Sequence, residues 1–318
     1  MTPSVTRVER STGSFAHPAL FHRGSADYAA GVGGFVRAAL AAPEPVLVAV
    51  PGERPDLLRG VLGPASGEVE SADMTALGRN PGRILARLRE FAAGHRGRPV
   101  RIVGEPIRPG RSAAEITGAT RHEALINLAF RGMPATVLCP YDTTGLPPAV
   151  LVDARRTHPT LLQGGTSRPG PACTDPALMV AACDTPLPEP PGARELVYGP
   201  GRLAQVRDHV HGWAAAAGLA RTADLVLAVG EATANSLAHG GGLGRLRLWT
   251  ADGHAVAEIT DGGRPVDSLA GRARPGAAEA DGGRGLWMIH QPCDLVETRV
   301  GGAGLTLRLH VRMFPGIL

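Results

Sequence analysis

No lysine occurs among the 318 residues, so all 33 basic side chains are arginine. This absence excludes a P-loop lysine, a Schiff-base lysine and the strand lysine of eukaryotic-type protein kinases. Aromatic residues make up only 4% of the chain, so any core must be built from Ala, Leu and Val. No apolar run reaches the roughly 18 residues needed to span a bilayer as a helix. The start, MTPSVTRVERSTGSF, lacks the apolar stretch of a secretory signal. Only four cysteines are present (Cys139, Cys173, Cys183 and Cys293), and none forms a CxxC pair. That spacing argues against a zinc ribbon or a disulfide framework, and a cytoplasmic protein with reduced thiols is the expectation. The net charge of +4 is mild, and the arginines do not interleave with aromatics, so no dedicated nucleic-acid surface and no membrane contact are expected.

What is present describes a globular chain: 43% hydrophobic and 19% charged residues, with 43 Gly and 28 Pro. The length suits about two domains of roughly 100–200 residues. In the first, residues 15–184, short apolar runs at Val46–Val50, Val100–Val103, Thr136–Leu138 and Leu178–Ala182 read as strands. Helical patterns at Ala26–Ala41, Pro81–Ala93 and Ala119–Arg131 lie between them. This alternation predicts an α/β layer with a largely parallel sheet. Residues 185–194 (TPLPEPPGAR) read as a proline-stiffened linker. In residues 195–314, a short strand at Glu195–Tyr198 precedes helices over Gly201–Ala217 and Thr222–Ala238, the second with Thr222 as candidate N-cap. A hairpin turning at Asp252-Gly253 comes next, then a short helix over Leu286–Gln291 and strands at Asp294–Val300 and Leu305–Arg312. Helices first and an antiparallel sheet after predict an α+β sandwich.

Four short motifs in this second domain carry chemistry. Glu231, Asn235 and His239 recur at i, i+4 and i+8 of the Thr222–Ala238 helix, on one face. They are either a solvated polar face or a site in which Asn235 offers an oxygen to Mg²⁺ and Glu231 takes a proton. Asp261 ends an apolar strand and is followed by Gly262 and Gly263. It is either an ordinary turn residue or an acceptor for an exocyclic amine. Gly282, Gly283 and Gly285 flank Arg284 just before the Leu286–Gln291 helix. They form either a flexible loop or a phosphate cradle. Thr306 follows Gly304 on a late strand.

In this order and spacing, the four motifs resemble the signature of the GHKL ATPase superfamily, and most closely its anti-sigma-factor serine kinases. The resemblance covers residues 195–311 and implies a Bergerat-type α+β sandwich binding ATP with Mg²⁺. It implies Glu231 as catalytic base, Asn235 as Mg²⁺ ligand and Asp261, beside Gly263, as the adenine-reading carboxylate. Gly283, Arg284, Gly285 and Leu286 would line the phosphates, Thr306 would help hold the Asp, and His239 occupies a position where such kinases often carry His. One departure stands out. The family pattern Asp-x-Gly-x-Gly is broken by Pro265, which fixes φ and puts turnover in more doubt than binding.

The first domain resembles the MEDS sensory domain over residues 15–162, through HPALFHRGSADYAAGV, PVLVAVP, RIVGEP, TRHEALINLAF, VLCPYDTTGLPPAVL and RTHPTLL. This resemblance implies a degenerate RecA-like fold. The stretch after the Val46–Val50 run, PGERPDLL, lacks GxxxxGK, so nucleotide binding is not expected there. His22, Glu123, Cys139, Tyr141, Asp142 and His158 are the polar or reactive residues in the matched stretches, as a sensing pocket or as satisfied structural groups. Cys139, His22 and His158 are metal-ligand types, but no local spacing groups them.

Three functions follow from the resemblance. The first is a kinase that phosphorylates an anti-sigma antagonist or engages a sigma factor, tuned by the sensory domain and possible as a homodimer. The second is a non-catalytic, ATP-dependent module that sequesters a partner. The third, a histidine kinase, would need an acceptor His in a dimerising hairpin before the ATPase domain. HEALIN at His122 lacks the expected residue at Ile126.

Overall fold

A computed structural model describes residues 15–164, 166–264, 267–275 and 284–314. The chain divides into two units, one formed by residues up to Arg79 with Ile84–Val180 and the other by Asn80–Arg83 with Ala181–Leu318. No helix among the described residues is long and apolar enough to cross a membrane.

The first unit begins with β1 (Pro18–His22), α1 (Gly24–Ala41), β2 (Val46–Val50), α2 (Arg54–Leu62), β3 (Glu70–Asp73), α3 (Met74–Leu77) and α4 (Ile84–Gly94). It continues with β4 (Val100–Gly104), α5 (Ala113–Ala129), β5 (Ala135–Asp142), α6 (Pro148–Thr157), β6 (Thr160–Gln163), β7 (Thr166–Pro169) and α7 (Pro176–Ala182). The sheet order is β3-β2-β4-β5-β1-β6-β7, parallel except for the β6–β7 pair. Every residue of β1, β2 and β4 is buried, as both-face helix cover demands of parallel strands. A capping box starts α5: the Ser112 amide donates to Glu115 Oε2 at 2.9 Å while the Glu115 amide donates to Ser112 Oγ at 3.3 Å.

Three sequence expectations change here. The Leu178–Ala182 run is not a strand but lies in α7, started by Pro176 and by Asp175 accepting from the Ala177 amide at 2.8 Å. A five-residue apolar run has no period of its own to choose between strand and helix. The helix expected from Pro81 starts at Ile84, after a 3₁₀ turn over Pro81–Arg83. The first strand is Pro18–His22 rather than Val46–Val50, and the loop that follows it is also without lysine.

The second unit holds β8 (Arg194–Tyr198), α8 (Leu203–Ala216), α9 (Thr222–His239), β9 (Gly244–Ala251), β10 (His254–Asp261), α10 (Arg284–His290), β11 (Leu295–Gly301) and β12 (Gly304–Arg312). Its antiparallel sheet runs β11-β12-β10-β9-β8. The hairpin turns through Asp252 (φ 48°) and Gly253 (φ 72°), the left-handed pair that an Asp-Gly turn supplies. On one face, Leu246, Leu248, Ala257, Ile259, Leu307 and Leu309 pack with Val206, Val210, Leu225 and Val229 of the helices, forming the core. The other face carries charge. Glu258, 1% exposed, stands opposite both Arg247 and Arg308 in register and bonds to each. Residues 184–189 hydrogen-bond to this sheet: Arg308 donates to the Pro188 carbonyl at 2.8 Å and Arg299 to that of Thr185 at 2.9 Å. The Val300 amide donates to Asp184 at 3.0 Å.

Candidate functional site

Helix α9 is held by the residues its 3.6 period turns inward, among them Leu225, Val229 and Ala232. Thr222 does not cap it. Its hydroxyl donates to the Leu219 carbonyl at 2.8 Å, and Arg221 occupies the capping position. Glu231 and Asn235 sit half-buried on one flank, and His239 is exposed at the C-terminal end. The polar spacing therefore survives as a real face, one that α10 meets. A Cβ on Gly285 would stand 3.2 Å from Glu231 Oε2, Asn235 Oδ1 and Asn235 Nδ2 alike. Only glycine allows this approach without displacing one of the two side chains. Arg284 beside it is exposed, and Leu286 packs on the core.

At the C-terminal end of α9, Asp261 closes β10 and is 9% exposed. Its Oδ1 accepts from the Gly263 amide at 2.7 Å, and the Gly262 amide donates to the Gly240 carbonyl at 3.1 Å. A Cβ on Gly240 would meet Asp261 Cγ at 2.5 Å, and one on Gly263 would meet the His239 carbonyl at 3.1 Å. The backbone of His239 thus borders this corner, while the residue as a whole is exposed. Gly304 passes so close to the Asp261 carbonyl that no side chain fits, at a φ of 122°.

The structure does not bring Thr306 to this carboxylate. Register places Leu305 opposite Asp261 and Thr306 opposite Thr260, with the two hydroxyl oxygens 3.5 Å apart. Strand alternation turns that pair to the sheet's charged face. Gly283 and Pro265 lie outside the described residues. Sequence reasoning passed over three residues near Asp261. Tyr198 Oη, Thr233 Oγ1 and Ser236 Oγ are buried, with the Tyr198 hydroxyl facing those of Ser236 and Thr233, and Asn235 Nδ2 is buried with no hydrogen-bond partner among the described residues. Burial pushes the Tyr198 hydroxyl's pKa up, and the Asp261 charge adds to the rise. The signal for them was available: Thr233 and Ser236 are polar residues on the buried stripe of α9.

In the first unit, Glu123, Cys139 and His158 come together, joined by His17. Tyr141 stands edge-on to the His158 ring at 5.5 Å. His22 lies elsewhere, its Nδ1 3.3 Å from the Gly24 carbonyl and its ring edge-on to Tyr28. Asp142 accepts from the Thr144 amide and hydroxyl, bonds that hold its carboxyl below its ordinary range despite the opposing effect of desolvation. His122 is 2% exposed, which removes it as a phosphate acceptor in this fold. A separate cleft of about 790 Å³ is lined by Ser25, Gly52, Arg54, Thr75, Glu105 and Arg108. Burial pushes Glu105 up to about 7, against the pull of Arg54, whose Nε lies 3.7 Å away.

Comparison with known families matches these two units. Residues 16–159 match the family model of the MEDS domain, the methanogen/methylotroph, DcmR sensory domain. Residues 198–311 match that of the histidine kinase-like ATPase domain. No curated protein matches the chain. The glycine-lined face of α9, with Asp261 at its C-terminal end, thus lies in a chain that is a MEDS sensory domain followed by a histidine kinase-like ATPase domain.

Proposed function

We propose that the protein is a Mg-ATP-dependent serine/threonine kinase of the anti-sigma-factor type, acting on an anti-sigma antagonist and modulated by its MEDS domain. The observation that carries the reading is the shared approach of Gly285 to Glu231 and Asn235, with Asp261 beside Gly240 at the C-terminal end of the same helix. The donor set fits the proposed ligand. Asn235 has an amide with an unpaired buried nitrogen, so its side chain is not committed to the protein's own network. Asp261 keeps acceptor capacity beyond the single bond to Gly263, and Gly240 and Gly263 bring bare backbone against its carboxylate where a side chain would collide with it.

In this reading Asp261 accepts a hydrogen bond from the adenine amine, and Asn235 lends its oxygen to Mg²⁺, which would neutralise charge on the phosphates. Glu231 accepts the proton of an attacking Ser or Thr hydroxyl. The oxygen of that hydroxyl bonds to the γ-phosphorus as the bond to the β-phosphate oxygen breaks, giving phosphoprotein and ADP. Gly285 and Arg284 border the position of the phosphates. A histidine kinase is disfavoured because residues 184–189, just before the ATPase domain, lie along its sheet instead of forming a dimerising helical hairpin.

The test is a pull-down from the native host with ATP and with ADP, followed by Phos-tag electrophoresis of the captured partners with wild type and Glu231→Ala. A partner phosphorylated only by wild type supports the kinase. A partner whose capture follows the nucleotide, with no phosphorylation by either protein, replaces it with a sequestering module.

A further inference from the structure

The four residues His17, Glu123, Cys139 and His158 belong to separate elements of the MEDS domain. His17 immediately precedes β1, Glu123 lies in α5, Cys139 in β5, and His158 between α6 and β6. Each is 0–1% exposed. Their ligand atoms all lie within 4.8 Å of one another. His17 Nε2 is 3.1 Å from Glu123 Oε2 and 3.4 Å from Cys139 Sγ, and His158 Nε2 is 3.3 Å from the same Glu123 oxygen.

The outer hydrogen bonds decide which ring nitrogens carry protons. His158 Nδ1 faces the Ala154 carbonyl at 2.8 Å, an atom that can only accept, so Nδ1 carries the hydrogen. Asn127 Nδ2 donates to the carbonyls of Thr157 at 2.8 Å and Glu123 at 3.3 Å, which fixes the orientation of its amide. Its Oδ1 therefore faces His17 Nδ1, at 3.1 Å, as an acceptor, and that nitrogen too carries the hydrogen. With each Nδ1 carrying its hydrogen, the neutral form of either ring presents a bare Nε2 lone pair inward, His17 at the Glu123 carboxylate and the Cys139 thiol and His158 at the same carboxylate oxygen. Three acceptors and one weak donor meet in a space closed to water. Burying them so is costly unless a cation joins them. Histidines whose outer nitrogens are tied to a carbonyl and an amide oxygen have the second-layer arrangement of metal ligands.

We propose that His17, Glu123, Cys139 and His158 bind one divalent transition-metal ion, Zn²⁺ by ligand type, in a closed four-ligand site. Zn²⁺ with bonds of about 2.0–2.3 Å sets its tetrahedral ligands roughly 3.3–3.5 Å apart. Three of the six separations, 3.1, 3.3 and 3.4 Å, lie at or close to that spacing, and the others are within 4.8 Å. A thiolate and a carboxylate together neutralise the dication, so the filled site carries no net charge into the core. With all four ligands buried there is no open coordination position, so the ion is structural or regulatory rather than catalytic. It would fasten α5 to three adjacent strands of the sheet, β5, β1 and β6.

The test uses the full-length chain without a metal-binding tag, purified from zinc-supplemented culture. Metal analysis by mass spectrometry should find about one zinc per chain. After removal by a chelator, the thermal midpoint should fall and recover on adding Zn²⁺ alone. Co²⁺ added to the stripped protein should give the intense visible bands of a tetrahedral site and a near-ultraviolet thiolate-to-metal band. Cys139→Ser should lose the thiolate band, whereas Cys173→Ser, at an exposed cysteine, should keep it. If stripped wild type is still folded by circular dichroism yet shows neither zinc uptake nor a cobalt spectrum, the proposal is overturned. The cluster is then a proton-sharing network in which one imidazole is charged against Glu123. Because the decisive measurements are on wild type, a variant that fails to fold does not rescue the idea, and none of them depends on the ATPase domain being active.

Discussion

Arg308 and Glu258 face each other in the register of β12 and β10, with the arginine Nε 2.8 Å from Glu258 Oε2 on the sheet face away from the helices. Arg247 approaches the other carboxylate oxygen, at 2.9 Å from its Nε. A buried carboxylate shared by two guanidiniums is satisfied in place, but removing one member leaves the rest uncompensated. Glu258→Ala should therefore cost about 3–5 kcal/mol in urea unfolding of the ATPase domain. A loss below about 1 kcal/mol, the usual scale for exposed pairs, would mean that the cluster is effectively solvated.

Asn235→Ala should abolish Mg²⁺-dependent ATP binding while leaving the thermal midpoint within a few degrees of wild type, because the residue is only half-buried. Gly285→Val should weaken binding at least about tenfold through a side chain forced against Glu231 and Asn235, or about 1.4 kcal/mol. Isothermal titration calorimetry reads both. Unchanged affinity in Asn235→Ala would remove that residue from the metal site.

Glu105 gives the stability of the MEDS domain a pH dependence of defined sign. Its carboxyl is pushed from an ordinary 4.5 up to about 7, chiefly by burial, so the folded protein binds that proton more tightly than the unfolded chain does. The contribution is fully present below pH 4.5 and is lost as pH rises through 7. Across that window, Glu105→Gln should gain on wild type by up to about 3 kcal/mol. Parallel stability curves for the two proteins from pH 4 to 8 would contradict the assignment.

Ser112→Ala removes one half of the capping box that begins α5. A loss of about 1 kcal/mol in denaturant unfolding is expected. Because α5 carries Glu123, the same variant should also speed zinc loss to a chelator if the helix frays.

Where the sequence carried a period or a turn with its own mechanism, the structure could be read from it. The α9 stripe, the Asp252-Gly253 turn and the strands either side follow from such signals. The polar face of α9 was visible as spacing, and Gly285 became meaningful only when α10 set it against Glu231 and Asn235. Thr306 misled because a one-residue step along a strand reverses the face, and only register shows that Leu305 is the residue opposite Asp261. His17 was missed although it shares a His-Pro pair with His158-Pro159, each pair leading into one of two neighbouring parallel strands. Nothing local ties these positions to Glu123 and Cys139, since the grouping spans more than a hundred residues and exists only after the sheet forms.

Thr185 and Pro188 lend their carbonyls to Arg299 and Arg308. A truncation beginning at Glu195 would strip both arginines of these acceptors and bare the outer row of the sheet. The shortest autonomous piece of the ATPase half should then begin upstream, near Ala181, and what reads as a proline-rich spacer acts as its first structural course.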